Sequence, residues 1–257
     1  MEITKMRLVC FSPTGSTKSV VKYMAEVMGF PCLETDVTLE AQARINFTEK
    51  ELVCFGVPSY GGRVPAAAMN RLLRLRGNNT PAILIATFGN RAYEDTLLEL
   101  AEGLEQNGFV PIAAAAVATE HSILHQFGAG RPDKADREQL KSFALAVKKK
   151  VQEIKRPDKL QTEFGGQRPY RKYSGVPIMP AAGKNCVRCG KCAAECPVGA
   201  VDKRNPSKTD KRRCISCLRC VKICPRQARA VHPFLLFVAA QRMKKACMEP
   251  KGNVLFL

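Results

Sequence analysis

Tryptophan is absent from this 257-residue chain, histidine occurs three times, and acids are scarce, with 23 Asp+Glu against 41 Lys+Arg. Long apolar runs are missing too. The longest, Ile112–Ala118 and Phe234–Ala240, fall far short of the roughly 20 residues a membrane span needs. There is no Gly-x-Gly-x-x-Gly dinucleotide fingerprint, and no P-loop, because Lys18 follows Thr17 where Gly-Lys-Ser/Thr would be required. No helix-turn-helix, RRM or zinc-finger pattern accompanies the basic charge, so nucleic acid is not the expected partner. The first residues, Met1 to Met6, run straight into an apolar strand-like segment without a signal-peptide layout. The expectation is a cytoplasmic protein. Disorder is excluded as the main state, since 46% of residues are hydrophobic.

Cysteine and charge, by contrast, are concentrated. Eight of the 12 cysteines lie between Cys186 and Cys224. Cys10, Cys32, Cys54 and Cys247 stand alone among apolar neighbours and are expected as small buried hydrophobes. Residues 1–155 carry 19 Lys+Arg against 17 Asp+Glu, whereas residues 156–257 carry 22 against 6. A break of that size separates two units. Pro157, Gly165, Gly166, Pro169, Gly175 and Pro177 mark the junction, expected as a linker over 156–177.

In the first unit, short apolar runs alternate with helical patterns. Strands are predicted over 3–11, 31–37, 52–57, 82–87 and 109–118, and helices from about Val20, over 67–75, 93–105 and 134–154. Such alternation implies a five-stranded parallel sheet covered on both faces, with any ligand beyond the carboxyl ends of the strands. Three loops there carry chemistry. Ser12-Pro13-Thr14-Gly15-Ser16-Thr17 offers hydroxyls, a glycine and a helix N-terminus, which are the requirements for a phosphate. Ser59-Tyr60-Gly61-Gly62 and Gly89-Asn90-Arg91, the latter followed by Tyr93, each set glycine beside an aromatic, so that backbone and ring could flank a planar ligand. His121, after the fifth strand, is a weak candidate for proton relay.

These loops resemble those of flavodoxins. The family's phosphate loop, Thr/Ser-x-Thr-Gly-x-Thr, is matched by Ser12, Thr14, Gly15 and Thr17, and the resemblance covers roughly residues 3–155. It implies a flavodoxin-like doubly wound α/β sheet in the order 2-1-3-4-5 and an FMN cofactor, with Tyr60 or Tyr93 against the flavin. Gly89-Asn90-Arg91 departs from the acidic and aromatic pattern expected after the fourth strand, so flavin redox tuning does not transfer. Arg91 could stand near the flavin or face solvent.

The second unit repeats itself. Cys186-x2-Cys189-x2-Cys192-x3-Cys196-Pro recurs 28 residues later as Cys214-x2-Cys217-x2-Cys220-x3-Cys224-Pro. A structural zinc site usually takes two separated pairs of ligands. The run resembles that of bacterial dicluster ferredoxins over about residues 178–233, a small α+β domain in which the fourth cysteine of each run serves the other cluster. The resemblance implies two [4Fe-4S] clusters, one on Cys186, Cys189, Cys192 and Cys224, the other on Cys214, Cys217, Cys220 and Cys196. Ferredoxins of this kind tend to be acidic; this one is basic, which points to steering toward an acidic redox partner protein. Residues 234–257 form a basic C-terminal extension with apolar ends. The whole resembles flavodoxin–ferredoxin fusion proteins. An electron-transfer protein is expected, with a flavin-dependent reductase of a small molecule as the alternative.

Overall fold

The apolar runs that sequence periodicity singles out become the strands of one sheet. The computed structural model describes residues 2–39, 44–157 and 164–257. β1 (Lys5–Cys10), β2 (Cys32–Asp36), β3 (Glu51–Pro58), β4 (Thr80–Phe88) and β5 (Phe109–Ala118) pair in parallel in the order 2-1-3-4-5. β3, β4 and β5 are buried on both faces, which explains why they read as unbroken apolar runs rather than as alternating patterns. α1 (Ser16–Met28) and α4 (Lys134–Glu153) cover one face, burying Val21, Met24, Phe143 and Val147 against Leu8, Cys54, Ile83 and Ile85. α2 (Ala66–Leu72) and α3 (Thr96–Glu105) cover the other, over Phe55, Leu84 and Ala116. Phe109 anchors that layer, meeting Phe55 and Phe47 edge-on at centroid distances of 4.9 and 5.6 Å. Of the isolated cysteines, Cys10 and Cys54 are buried in the sheet and Cys247 elsewhere, but Cys32 is exposed, because β2 is an edge strand.

The second unit is held by β6 (Ala181–Ala182) and β7 (Arg229–Ala230), an antiparallel pair, and by two four-residue helices, α5 (Lys191–Ala194) and α6 (Arg219–Lys222). Its two halves match at the 28-residue offset. Positive φ recurs in register at Arg188 and Ser216, at Gly190 and Leu218, and at Gly199 and Gln227. The Ala200 and Ala228 amides donate to the sulfurs of Cys196 and Cys224, each at 3.2 Å.

Two segments outside these units bind them together. Residues 158–163 of the expected linker lie outside the described residues. The rest is packed rather than free: Phe164 is buried in the core against Phe256, Asp95 accepts the amides of Gln167 and Arg171, and Glu102 takes Arg168 and Tyr170. The C-terminal extension forms α7 (Pro233–Cys247), with His232 as N-cap and proline in its first turn. Leu236 and Ala239 of α7 pack both on Ile123, in the loop after β5, and on Ile178, Leu218 and Val231 of the second unit. The chain then returns as β8 (Val254–Phe256), a sixth strand antiparallel to β5 that the five-strand reading does not contain. Among the described residues no helix is long and apolar enough to cross a membrane.

Asp136 is the acid that pins this tail. It closes a capping box with Asp133, takes the Arg131 guanidinium, and accepts from Asn253 Nδ2 at 2.9 Å, while Arg131 also donates to the Lys251 carbonyl. Burial raises its pKa, but Arg131, the Asp133 amide and Asn253 outweigh burial and hold the carboxyl below its ordinary value. A depressed pKa stabilises the fold above the unfolded value of about 4, and that contribution is lost as pH falls through the folded value. Asp136→Ala should cost about 1–3 kcal/mol at neutral pH through the orphaned donors. It should also flatten the acid side of the stability curve, followed by urea unfolding as pH is lowered. An acid limb identical to wild type would count against the network.

Candidate functional site

Every loop singled out for chemistry follows a strand at the carboxyl edge of the sheet, and they converge. A cavity of about 200 Å³ opens there, lined by Ser12, Thr14, Ser16 and Thr17, by Ser59, Tyr60 and Gly61, by Gly89 and Arg91, and by His121. The first loop is built from within: Ser12 donates its amide to Thr38 Oγ1 at 2.7 Å, and its Oγ accepts the Lys18 amide at 3.0 Å. Thr17 and Thr87 share a hydroxyl hydrogen bond of 2.7 Å, tying α1 to β4. The residue preceding α1 is Gly15, in a left-handed conformation and with no side chain to cap the helix. Among the described residues the Ser16 and Thr17 amides meet no acceptor. A helix start left open in this way suits an anion.

Gly61 is held under a ring. A Cβ built there would stand 2.2 Å from Tyr173 Cδ2, so only glycine lets Tyr173 close on the loop. Gly89 backs onto His121 in the same way, with its Cβ position 2.8 Å from His121 Cα. His121 Nδ1 accepts the amides of Ile123 and Leu124, each at 3.1 Å. Burial first, then His125, and Arg91 further, push its pKa down to about 4, against an opposing backbone hydrogen bond. The imidazole is therefore neutral at pH 7, with its Nδ1 lone pair occupied. Burial raises the Tyr60 phenol well above its ordinary pKa, with Cys217 and Tyr173 adding to the shift. A sulfur of the second cysteine motif thus lies within electrostatic reach of the first unit's loop.

Gly15, Gly62, Asn90 and Tyr93 are not brought to the cavity wall. Asn90 is buried and faces the C-terminal tail: its Nδ2 donates to the Cys247 and Glu249 carbonyls at 2.7 and 3.1 Å, and its Oδ1 accepts the Lys251 amide. Tyr93 packs on Phe88 with ring centroids 5.9 Å apart. Gly62 lies under Glu94, which also pairs with Arg91 and Arg171. The remaining wall comes from places the loop argument could not reach. Tyr173, Val176 and Ile178 enter from the expected linker and its end, Ile215 and Ser216 from the second motif, and Ala239 and Met243 from α7. Tyr173, an aromatic in a Pro/Gly-rich stretch, was the one available signal.

In the second unit, Cys196 of the first motif lies within electrostatic reach of Cys214, Cys217 and Cys220 of the second. Burial drives Cys217 up to about 12 against the Arg219 amide, and Cys220, Cys196 and Cys214 raise it further. Arg229, 2% exposed, reaches both motifs: Nη1 stands 3.7 Å from Cys192 Sγ, and at Cys220, whose pKa burial raises, the guanidinium opposes the rise. Its Nε is buried and meets no partner among the described residues. A buried guanidinium with an unmet donor between two sets of sulfurs fits anionic thiolate centres on either side. The second unit also grips the first loop directly. Arg219 Nη1 donates to the Pro13 carbonyl at 3.1 Å and Lys222 Nζ to that of Thr14, while from the first unit Arg71 Nη2 donates to the Pro197 carbonyl.

Residues 185–229 match the family model of the 4Fe-4S dicluster domain. An uncharacterized ferredoxin of Methanocaldococcus jannaschii is 33% identical over 95 residues, 34% of this chain and 59% of that protein. One component of an ion-translocating oxidoreductase complex from Methanosarcina acetivorans is 41% identical over 55 residues, 21% of each chain. The chain therefore spans less than two thirds of either relative's length. A flavodoxin from the domain Archaea aligns in structure with 58% of this chain and 99% of its own, at 12% identity and a TM-score of 0.43. A Streptococcus pneumoniae flavodoxin aligns with 57% and 99%, at 18% and 0.40. The fold assignment itself rests on the 2-1-3-4-5 strand order.

Proposed function

We propose that this chain, which joins a flavodoxin-like α/β domain to a 4Fe-4S dicluster domain, is an electron-transfer iron–sulfur flavoprotein serving a protein redox partner. Cys186, Cys189, Cys192 and Cys224 would hold one [4Fe-4S] cluster, and Cys214, Cys217, Cys220 and Cys196 the other. FMN would lie in the cavity, its phosphate at the Ser12–Thr17 loop and the start of α1. Bound there, flavin supplies a centre that exchanges one or two electrons, while each cluster exchanges one. The observation that carries the reading is the shared wall. Ile215 and Ser216, inside the second cysteine motif, line the same cavity as Tyr60 and Gly61. Covalent linkage and the grip of Arg219 and Lys222 on the first loop keep the two halves at high effective concentration.

The reductase alternative needs an acid or an anchor over the ring. His121 is neutral with its Nδ1 occupied, and Arg91 is engaged by Glu94, so both candidates are committed elsewhere. The partner is expected to be acidic, given 22 Lys+Arg against 6 Asp+Glu over residues 156–257. A reducing cytoplasm suits the additional unpaired cysteines.

Anaerobic purification with iron, sulfide and flavin analysis, followed by reductive titration watched by absorbance and EPR, tests this. About eight iron atoms and one FMN per chain are expected, with electrons equilibrating between the centres. Iron without flavin, even after FMN is supplied, would overturn the flavin assignment. The first domain would then be a scaffold for another phosphorylated ligand.

A further inference from the structure

The two cysteine motifs have the same backbone shape but opposite surroundings. At the 28-residue offset, Val187 corresponds to Ile215, Arg188 to Ser216, Cys189 to Cys217 and Gly190 to Leu218. Val187 is 61% exposed, while Ile215 packs on the first domain's core. Arg188 and Cys189 are exposed, while Ser216, Cys217 and Leu218 are buried. The second motif therefore presents this face to the cavity, and the first presents the equivalent face to solvent. Of the eight motif cysteines, Cys189 is the exposed one.

We infer that the Val187–Lys191 face of the first motif is the surface on which an acidic one-electron carrier protein docks, an inference that rests on the iron–sulfur reading above. Its charge is of one sign. Lys184, Arg188 and Lys191 are exposed, no acid occurs between Gly183 and Ala194, and the next one, Glu195, is paired with Arg219 at 2.6 Å. Val187 gives the face an apolar centre within a cationic rim, the layout of a transient protein interface. The pseudo-equivalent face cannot serve, because the first domain and α7 cover it. The exposed apolar side of α7, with Phe234 and Phe237, is a rival surface that carries no motif cysteine. In each encounter the carrier loses one electron and the chain gains one, with no bond made or broken.

The test uses the holoprotein, prepared anaerobically, and a reduced acidic dicluster ferredoxin as the carrier in stopped-flow mixing. K184E/K191E and R188E should each slow the second-order reduction by about tenfold or more at low ionic strength and weaken its salt dependence. K244E/K245E on α7 should change it by less than about twofold. Iron content, flavin content and reduction by dithionite should match wild type in all three. A larger effect from the α7 variant, an undiminished rate in both face variants, or a wild-type protein that takes no electrons from the carrier would overturn the docking face. Failure of dithionite-reduced wild type to share electrons between iron–sulfur centres and flavin would instead overturn the relay itself.

Discussion

Cys196→Ser should remove the iron centre of the second motif and leave that of the first. The expectation runs against sequence order, since Cys196 closes the first run. Cys196, however, is close enough to raise the pKa values of Cys214, Cys217 and Cys220, and the Ala200 amide donates to its sulfur at 3.2 Å. Iron should fall from about eight to about four per chain, because a cubane lacking one of its four thiolates is readily lost. The surviving EPR signal should be that of the Cys186–Cys192 centre. Reduction of the flavin by a protein carrier should fall to the background rate, since the motif facing Tyr60 is the one emptied. Cys224→Ser should give the converse: iron again near half, the other EPR signal retained, and electrons still shared between the remaining centre and the flavin. Because small metal domains fold with their metal, partial unfolding is expected in both, and the identity of the surviving signal decides the matter. Loss of the first-motif signal in Cys196→Ser would show that each run binds its own cluster.

Much of the architecture was legible because it depends on local pattern. Buried parallel strands must be apolar on both faces, so β3, β4 and β5 announced themselves, and the cysteine spacing did the same for the second unit. What escaped depends on partners far along the chain. β8 has three residues, and its tail is held by side chains far along the chain: Asn253 meets Asp136, Gln139 and the Ala118 amide. Asn90 read as a ligand contact from its place after β4. Its side-chain amide, donor at one end and acceptor at the other, meets the tail backbone instead. The Pro/Gly-rich stretch after α4 read as a spacer, yet Tyr173 and Val176 wall the cavity, because proline and glycine mark irregular backbone and not absence of packing. Leu218 stands where the first repeat has Gly190. It keeps the left-handed conformation of its counterpart, at φ 56°, and buries its side chain against α7. Burial of a leucine, worth roughly 1.5–3 kcal/mol, offsets strain of about 1–2 kcal/mol.

Lys222→Glu should weaken FMN binding by more than tenfold while leaving riboflavin binding within about twofold. Lys222 belongs to the second motif, yet its ammonium donates to the Thr14 carbonyl and lies 3.7 Å from the Cβ position of Gly15, beside the open start of α1. At a separation of about 6 Å a unit charge pair is worth about 0.7 kcal/mol in water and about 3 kcal/mol at an effective dielectric of 20. Lys222 is exposed, so the lower end applies, about 1 kcal/mol per unit of charge. Neutralising it in Lys222→Gln should cost about fivefold in affinity, and reversing it about 25-fold, both shrinking as salt screens the pair. Riboflavin has the ring but no phosphate and separates the two roles this lysine could have. If riboflavin binding falls as far as FMN binding, Lys222 acts by holding the domains together. If neither falls, the phosphate does not sit at the Ser12–Thr17 loop. A selective, salt-dependent loss of FMN would mean that the iron–sulfur domain completes the flavin site it faces, so that cofactor loading reports on domain docking.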